Sequence, residues 1–267
     1  DWWGASGGMM GPNQFLNIND GQRDRKAIFG EWEKQIPPQL NSSIGLRFEQ
    51  VTTDSGMVHG YNQATFPVIP VAGMNNQIID AANLNNANRK KTDNNWDFTA
   101  LGHYVANASL DVEFGYAYKT RSPNLYERYY WSTWSMAAVM NNYVGDGNGY
   151  VGNLALTPEK SNTLSTTIDW HSPDREWQMK ATPFYTHVTD YIDAVRVTNN
   201  VNQFNVLSYT NQTARLYGLN LSGKMPLGRS VLGRFGFNGL VNYVNGKTLD
   251  TDSGLYNIMP LNSKLAL

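Results

Sequence analysis

Residues 110–119 read LDVEFGYAYK. Leu110, Val112, Phe114, Tyr116 and Tyr118 alternate without a break with Asp111, Glu113, Gly115, Ala117 and Lys119. An extended chain turns successive side chains to opposite faces, so one face is apolar and ends in tyrosine while the other is charged or small. The residues that follow, TRSPNLYERYYWSTWSM (120–136), break the pattern with a proline, three charges and a cluster of Tyr and Trp. What such a strand is for depends on the solvent that each face meets.

The same period recurs along the chain. Trp96, Phe98, Ala100, Gly102 and Tyr104 alternate with Asp97, Thr99, Leu101 and His103, and Leu164, Thr166, Ile168 and Trp170 with Ser165, Thr167, Asp169 and His171. Phe235, Phe237, Gly239, Val241 and Tyr243 mark another run. Tyr217, Leu219 and Leu221 mark one more, and Ile44, Leu46 and Phe48 a further one. Helical periodicity is nearly absent. Runs of about ten residues are roughly twice the usual soluble strand and match a tilted strand that crosses a bilayer. A soluble sandwich shares the alternation, because one of its faces is also wet.

Connection lengths separate the two. Short turns are predicted at Ile36–Gln39, Ala106–Ala108, Ser172–Arg175 and around Pro226–Leu232, with long loops near 54–94, 122–159, 198–204 and 246–254. Short turns at one end and long loops at the other are the pattern of an outer-membrane barrel. The expected fold is therefore all-β, an antiparallel up-and-down transmembrane barrel. On this reading Tyr116 and Tyr118 sit at the outer interface, Lys119 and Arg121 reach the headgroups or the lumen rim, and Pro123 ends the ladder by removing a donor.

Composition narrows the partners. Lys plus Arg number 21 against 22 Asp plus Glu, for a net charge of −1, which leaves no electrostatic case for nucleic acid. Mean hydropathy is −0.47, and no window is apolar enough for a transmembrane helix. Fifteen Tyr and 8 Trp outweigh 10 Phe, a bias toward rings that favour membrane–water interfaces or sugars. Cysteine is absent, so disulfides and thiolate metal sites are excluded. The chain opens on DWWGASGG and stops at NSKLAL inside a strand pattern. The expectation is that residues 1–267 are one stretch of a longer barrel domain.

Several segments carry a family resemblance. RSPNLYERY followed by GNLALTPEKS, together with AIFGEWEKQIPPQLNSSIGLRFE, TPFYTHVTDYIDAV, NQTARLYGLNLSG and YNIMPLNSKLAL, resembles in its order the barrel signature of TonB-dependent outer-membrane receptors. Asn220 stands where that pattern usually has Glu, and Met259-Pro260 replaces a Pro pair. SPNLYERYYWSTWSM and the Met-rich loops are most similar to the copper-receptor branch. The alternating runs amount to about nine strands, and the resemblance implies that they belong to a 22-stranded barrel in the bacterial outer membrane, with the plug domain and C-terminal strands outside this chain. It also implies outer-membrane lipid around the wall, coupling to the TonB energy-transducing complex through the missing N-terminal part, and active import of a metal or metal chelate. Copper ion or a copper complex is the first expectation, and an iron-siderophore or other chelate the alternative. A passive pore and a secreted carbohydrate-binding β protein are the competing classes.

Candidate ligands follow from chemistry. Six of nine Met fall in predicted loops: Met9, Met10, Met57, Met74, Met136 and Met140. Thioether and imidazole suit copper, so Met57 with His59 in GMVHG, and Met9 with Met10 in GGMMGP, are the metal candidates. The plain alternative is loop packing by Met, and for Met136 and Met140 one apolar helix face. His103, His171 and His187 are expected to be structural, as are Asp111, Glu113, Asp169 and Asp193, because a wet barrel interior carries charge. Trp131 and Trp134 pack loops or stack on a ligand, and Glu159 and Lys160 belong to the strand-start motif. No phosphate loop, catalytic triad or HExxH motif is present, so no enzyme and no resident cofactor are expected.

Overall fold

The computed structural model describes residues 2–3, 14–36, 38–60, 76–140, 142, 145–198, 205–231, 233–256 and 258–267. Two short strands, β1 (Trp2–Trp3) and β2 (Gln14–Phe15), pair with each other. The wall comprises β3 (Gln22–Ile36), β4 (Leu40–Asp54), β5 (Lys91–Asn107), β6 (Leu110–Arg121), β8 (Glu159–His171), β9 (Gln178–Thr198), β10 (Val206–Ser230), β11 (Gly233–Thr248) and β12 (Asn262–Ala266). Each is antiparallel to its sequence neighbour, which gives nine strands in simple up-and-down order with β3 and β12 at the edges. A tenth strand, β7 (Gly149–Val151), pairs parallel with β10. Helices α1 (Asn76–Asn86), α2 (Leu125–Tyr129) and α3 (Ser135–Met140) lie in the long connections.

Register carries the face assignment across the sheet. One row runs Trp32, Ile44, Ala100, Tyr116, Leu164, Tyr185, Tyr217 through six successive pairings. A row on the opposite face runs Gly45, Thr99, Ala117, Thr163, Thr186, Leu216, Gly246. Because strand period is two, one face stays apolar and the other polar over the whole wall. The apolar face is left uncovered by protein: Ile28, Trp32, Leu46, Trp96, Phe114, Leu164, Trp170 and Tyr217 are all exposed. A contiguous patch of that size is a membrane surface. Among the described residues no helix is long and apolar enough to cross a membrane, so the crossing elements are strands.

Hydrophobic packing is concentrated in the loops. Phe15, Val58, Ala81, Leu84, Trp131 and Ala137 form one buried cluster, and Tyr130, Tyr150, Leu156, Ile192 and Tyr209 another. Val188, Ala214 and Leu255 form a third, which brings the segment after β11 back onto the wall. The turns after β3, β5 and β10 are short and the connections after β4, β6 and β11 long, as predicted, whereas those after β8 and β9 are nearly equal in length. Two details differ. α1 occupies a stretch read as loop, because it buries only Gln77, Ala81 and Leu84 in an Asn-rich run. β10 continues through Pro226 to Ser230 across a bulge between Pro226 and Gly228, since a bulge accommodates the missing proline donor.

The register makes a direct prediction. In the membrane-inserted protein, Phe114→Cys should react with a lipid-phase probe and Glu113→Cys with a water-soluble thiol reagent. The reverse labelling pattern would show the two faces exchanged.

Candidate functional site

The site assembles where β6 gives way to the long 122–158 connection. Arg121 ends β6 opposite Glu159, the first residue of β8. Its Nε and Nη2 donate to Glu159 Oε2 and Oε1 at 2.7 and 2.8 Å, while Nη1 donates to both oxygens of Glu127 at 3.0 Å. The two segments SPNLYE and LTPEKS thus meet through one guanidinium. Ser122 accepts from Asn95 Nδ2 at 2.7 Å, and Pro123 is fully buried. Asn124 then caps α2. Its side-chain oxygen accepts from Glu127 N at 2.8 Å, and Glu127 Oε2 accepts from Asn124 N at 2.7 Å, a capping box. Glu127 therefore serves the cap and the ion pair at once.

Arg128 and Tyr129 lock the helix onto the wall. The Arg128 side chain is 1 % exposed and its partner Asp93 is 9 % exposed. Arg128 Nη2 donates to both Asp93 oxygens at 2.9 Å, and Nη1 donates to Thr53 Oγ1 at 2.9 Å. The Tyr129 hydroxyl donates to Arg89 O at 2.7 Å and lies 3.0 Å from Thr53 Oγ1; burial raises its pKa above the ordinary phenolic value. Gly152 is required here, because an added Cβ would come within 2.7 Å of the Arg128 backbone. Trp131 stacks on Phe15 with ring centroids 5.0 Å apart and donates from Nε1 to Leu16 O at 3.0 Å. It is a packing residue of the mouth. A cleft of about 260 Å³ opens beside it, lined by Asp80, Asn83, Leu84, Tyr130, Asn153 and Leu154 among others.

The metal candidates separate. Met57 is 63 % exposed and Val58 beside it is buried in the loop cluster. His59 is half-buried and its carbonyl accepts from Leu16 N at 2.9 Å. His59 Nδ1 lies 3.1 Å from Gly60 O; a carbonyl only accepts, so this contact is a hydrogen bond when Nδ1 carries a proton. Met9, Met10 and Met74 lie outside the described residues. In α3 the buried residues are Ala137 and Ala138 while Met140 is exposed, so Met140 is not part of a buried helix face. Among the described residues no group of three or more His, Cys, Asp or Glu is placed to hold a metal ion.

The histidines near the short turns have other work. Asp111 Oδ2 receives Arg175 Nη2 at 2.7 Å, with His103 and His171 Nε2 at 3.5 and 3.6 Å. Both oxygens of Asp169 accept from Gln178 Nε2, with Lys180 Nζ at 3.3 Å from Oδ2. These carboxylates brace two neighbouring turns on the polar face. The resemblance pointed to the SPNLYE and PEKS motifs, but their joint contact at Arg121 and the partnership of Arg128 with Asp93 were not visible in sequence. Each partner lies 35 or more residues away.

Arg128→Ala strands Asp93 in a buried position and should cost about 3–5 kcal/mol. The expected readout is protease sensitivity within 122–158 while the strand wall stays heat-modifiable on gels. The turn at 145–149 gives a pH test. Burial raises the Asp146 carboxyl pKa, but hydrogen bonds from the Tyr150 hydroxyl and from Asn148 outweigh it and set the pKa below the ordinary value. A depressed pKa gives stability above the ordinary carboxylate value that is lost as pH falls through the lower folded one. Proteolysis of this turn should therefore be flat from neutral pH down and rise only below about pH 4. Asp146→Asn should remove that rise.

Comparison with known proteins agrees with this geometry. The family pattern described as "TonB dependent receptor-like, beta-barrel" matches residues 3–265. A search of curated protein sequences gave no match. Among solved structures, the copper transporter OprC superposes with a TM-score of 0.64 at 18% identity, covering 92% of this chain and 32% of its own. The hemophore receptor HasR of Serratia marcescens, solved with its hemophore HasA and heme, gives 0.55 at 14% identity, with 88% and 35% covered. The alcaligin outer-membrane receptor FauA of Bordetella pertussis gives 0.54 at 12%, with 92% and 34% covered. The chain spans about a third of the length of each. With an uncovered apolar face, short turns at one end, loops packed at the other and a family match across nearly its whole length, the chain belongs to the TonB-dependent receptor β-barrel family of the bacterial outer membrane.

Proposed function

We propose that this chain forms part of the wall and loop mouth of a TonB-dependent receptor that imports copper ion or a copper complex across the outer membrane. The whole of 1–267 is barrel domain in this reading. The plug, the segment that contacts TonB and the remaining strands belong to other parts of the receptor. Cargo enters at the packed loops, and energy passed from TonB moves the plug to open a path along the polar face. No resident cofactor is involved, because the metal is cargo.

The observation that carries the copper reading is the pair Met57 and His59. An exposed thioether and a half-buried imidazole whose Nδ1 lies 3.1 Å from a backbone carbonyl stand two residues apart in the chain. Outer hydrogen bonds of that kind orient a metal-binding imidazole and leave Nε2 as the donor. Soft sulfur with imidazole selects copper over harder cations. Met9 and Met10 are candidates for further thioether ligands on the same chemical ground. An iron-siderophore or another metal chelate is the alternative cargo on the same fold.

Copper content of the complete detergent-purified receptor, measured by metal analysis, tests this reading. Met57→Ala with His59→Ala should abolish one stoichiometric copper. Unchanged copper would move the ligands elsewhere in the receptor, and no copper in either protein would favour the chelate alternative.

A further inference from the structure

The β10–β11 hairpin reaches past the wall at the end that carries the short turns. Gln178 is the last β9 residue to pair with β10, at Lys224, and residues 225–230 run on with only β11 beside them among the described residues. At about 3.3 Å per residue the tip stands roughly 20 Å beyond that last pairing. A bulge between Pro226 and Gly228 bends it. Gly228 and Gly233 hold φ of 151° and 138°, values that a residue with a side chain rarely adopts.

Charge at the tip is unbalanced. No Asp or Glu occurs between Asp193 and Asp250, whereas β10 and β11 carry Arg215, Lys224, Arg229, Arg234 and Lys247. Arg229 and Arg234 sit directly opposite each other, a placement that is destabilising for like charges. Both are exposed, with no ion pair among the described residues. On the other face Phe235 lies opposite Gly228, two residues from the Met225–Phe237 pair that continues the lipid-facing side of the wall. Leu227 at the bulge is exposed as well, and Val231 at the turn wholly so.

We infer that this hairpin tip is an interfacial anchor that docks on the periplasmic leaflet of the outer membrane and takes the phosphate of an anionic phospholipid between Arg229 and Arg234. Short turns mark the periplasmic end of an outer-membrane barrel. Guanidinium donors match phosphate oxygens, so a phosphate between the two arginines turns an unfavourable pair into a site. Their long stems reach headgroup level from a face turned away from the acyl chains. The apolar side continues from the wall to the tip, so the lipid that covers the wall also meets Met225 and Phe235. A soluble acidic partner would satisfy the arginines but leave Leu227, Val231 and Phe235 in water. The anchor is a property of the wall and is independent of the cargo.

A polarity-sensitive fluorophore on Val231→Cys reports docking, with any cysteine outside residues 1–267 replaced by serine. In the complete receptor, reconstituted in nanodiscs of phosphatidylcholine mixed with phosphatidylglycerol, its emission should shift to the blue and be shielded from iodide. Arg229→Gln with Arg234→Gln should lower the ratio of docked to undocked label about thirtyfold, while the wall stays heat-modifiable. Lys34→Gln, which removes a cation near the same end of β3, should leave the ratio unchanged. Discs of phosphatidylcholine alone should dock the unsubstituted hairpin more weakly, a comparison that needs no change at the arginines. Inorganic phosphate, added at constant ionic strength, should not release the label. A label open to iodide in the mixed discs would overturn the inference, as would equal docking in the two kinds of disc or equal losses in the two variants. Release by inorganic phosphate would also overturn it, by marking a site for free anions.

Discussion

A strand that crosses hydrocarbon must give every backbone N–H and C=O to a neighbouring strand, because no water is present to take them. The rest of this molecule depends on that requirement. It fixes the antiparallel order, and the order fixes register. With a period of two, register keeps one face predominantly apolar and the other predominantly polar. One slipped residue in β6 would present Asp111, Glu113 and Lys119 to lipid and turn Phe114 and Tyr116 inward. Each pairing in the row from Trp32 to Tyr217 therefore supports its neighbours.

Stability is divided between two regions in consequence. The wall relies on hydrogen-bonded ladders and lipid, and so needs little internal packing. The long loops must build their own core, which they do around Trp131, Tyr130 and Tyr150. A buried ion pair, Arg128 with Asp93, and a shared carboxylate, Glu127, then attach that core to the strand ends. Buried pairs of this type fix arrangement more surely than they add stability.

Much of the wall was legible in the sequence because alternation in LDVEFGYAYK and its counterparts is a local property. Turn and loop lengths follow from it directly. The site was legible only as motifs. Asn124 and Glu127 are three residues apart, so the cap can be seen in SPNLYE. Arg121 with Glu159, Arg128 with Asp93 and Trp131 with Phe15 join distant segments, and a single sequence holds no trace of such pairings. α1 was missed for a different reason: asparagine is a weak helix former, and its short apolar stripe is stabilised by Phe15 and Trp131, which lie far off in the chain.

The parallel pairing of β7 with β10 sets an order of construction. The connection that leaves β6 does not simply return to β8. It reaches past β8 and β9, so that Gly149 N donates to Asn205 O at 2.8 Å and Asn153 Nδ2 to Tyr209 O at 3.1 Å. Until β10 has joined the wall, those donors have no acceptor and Tyr150 has no Tyr209 to pack against. The 149–153 stretch of the mouth therefore closes only after two later strands are seated, and a barrel stalled before that point would leave Tyr150 without its stacking partner.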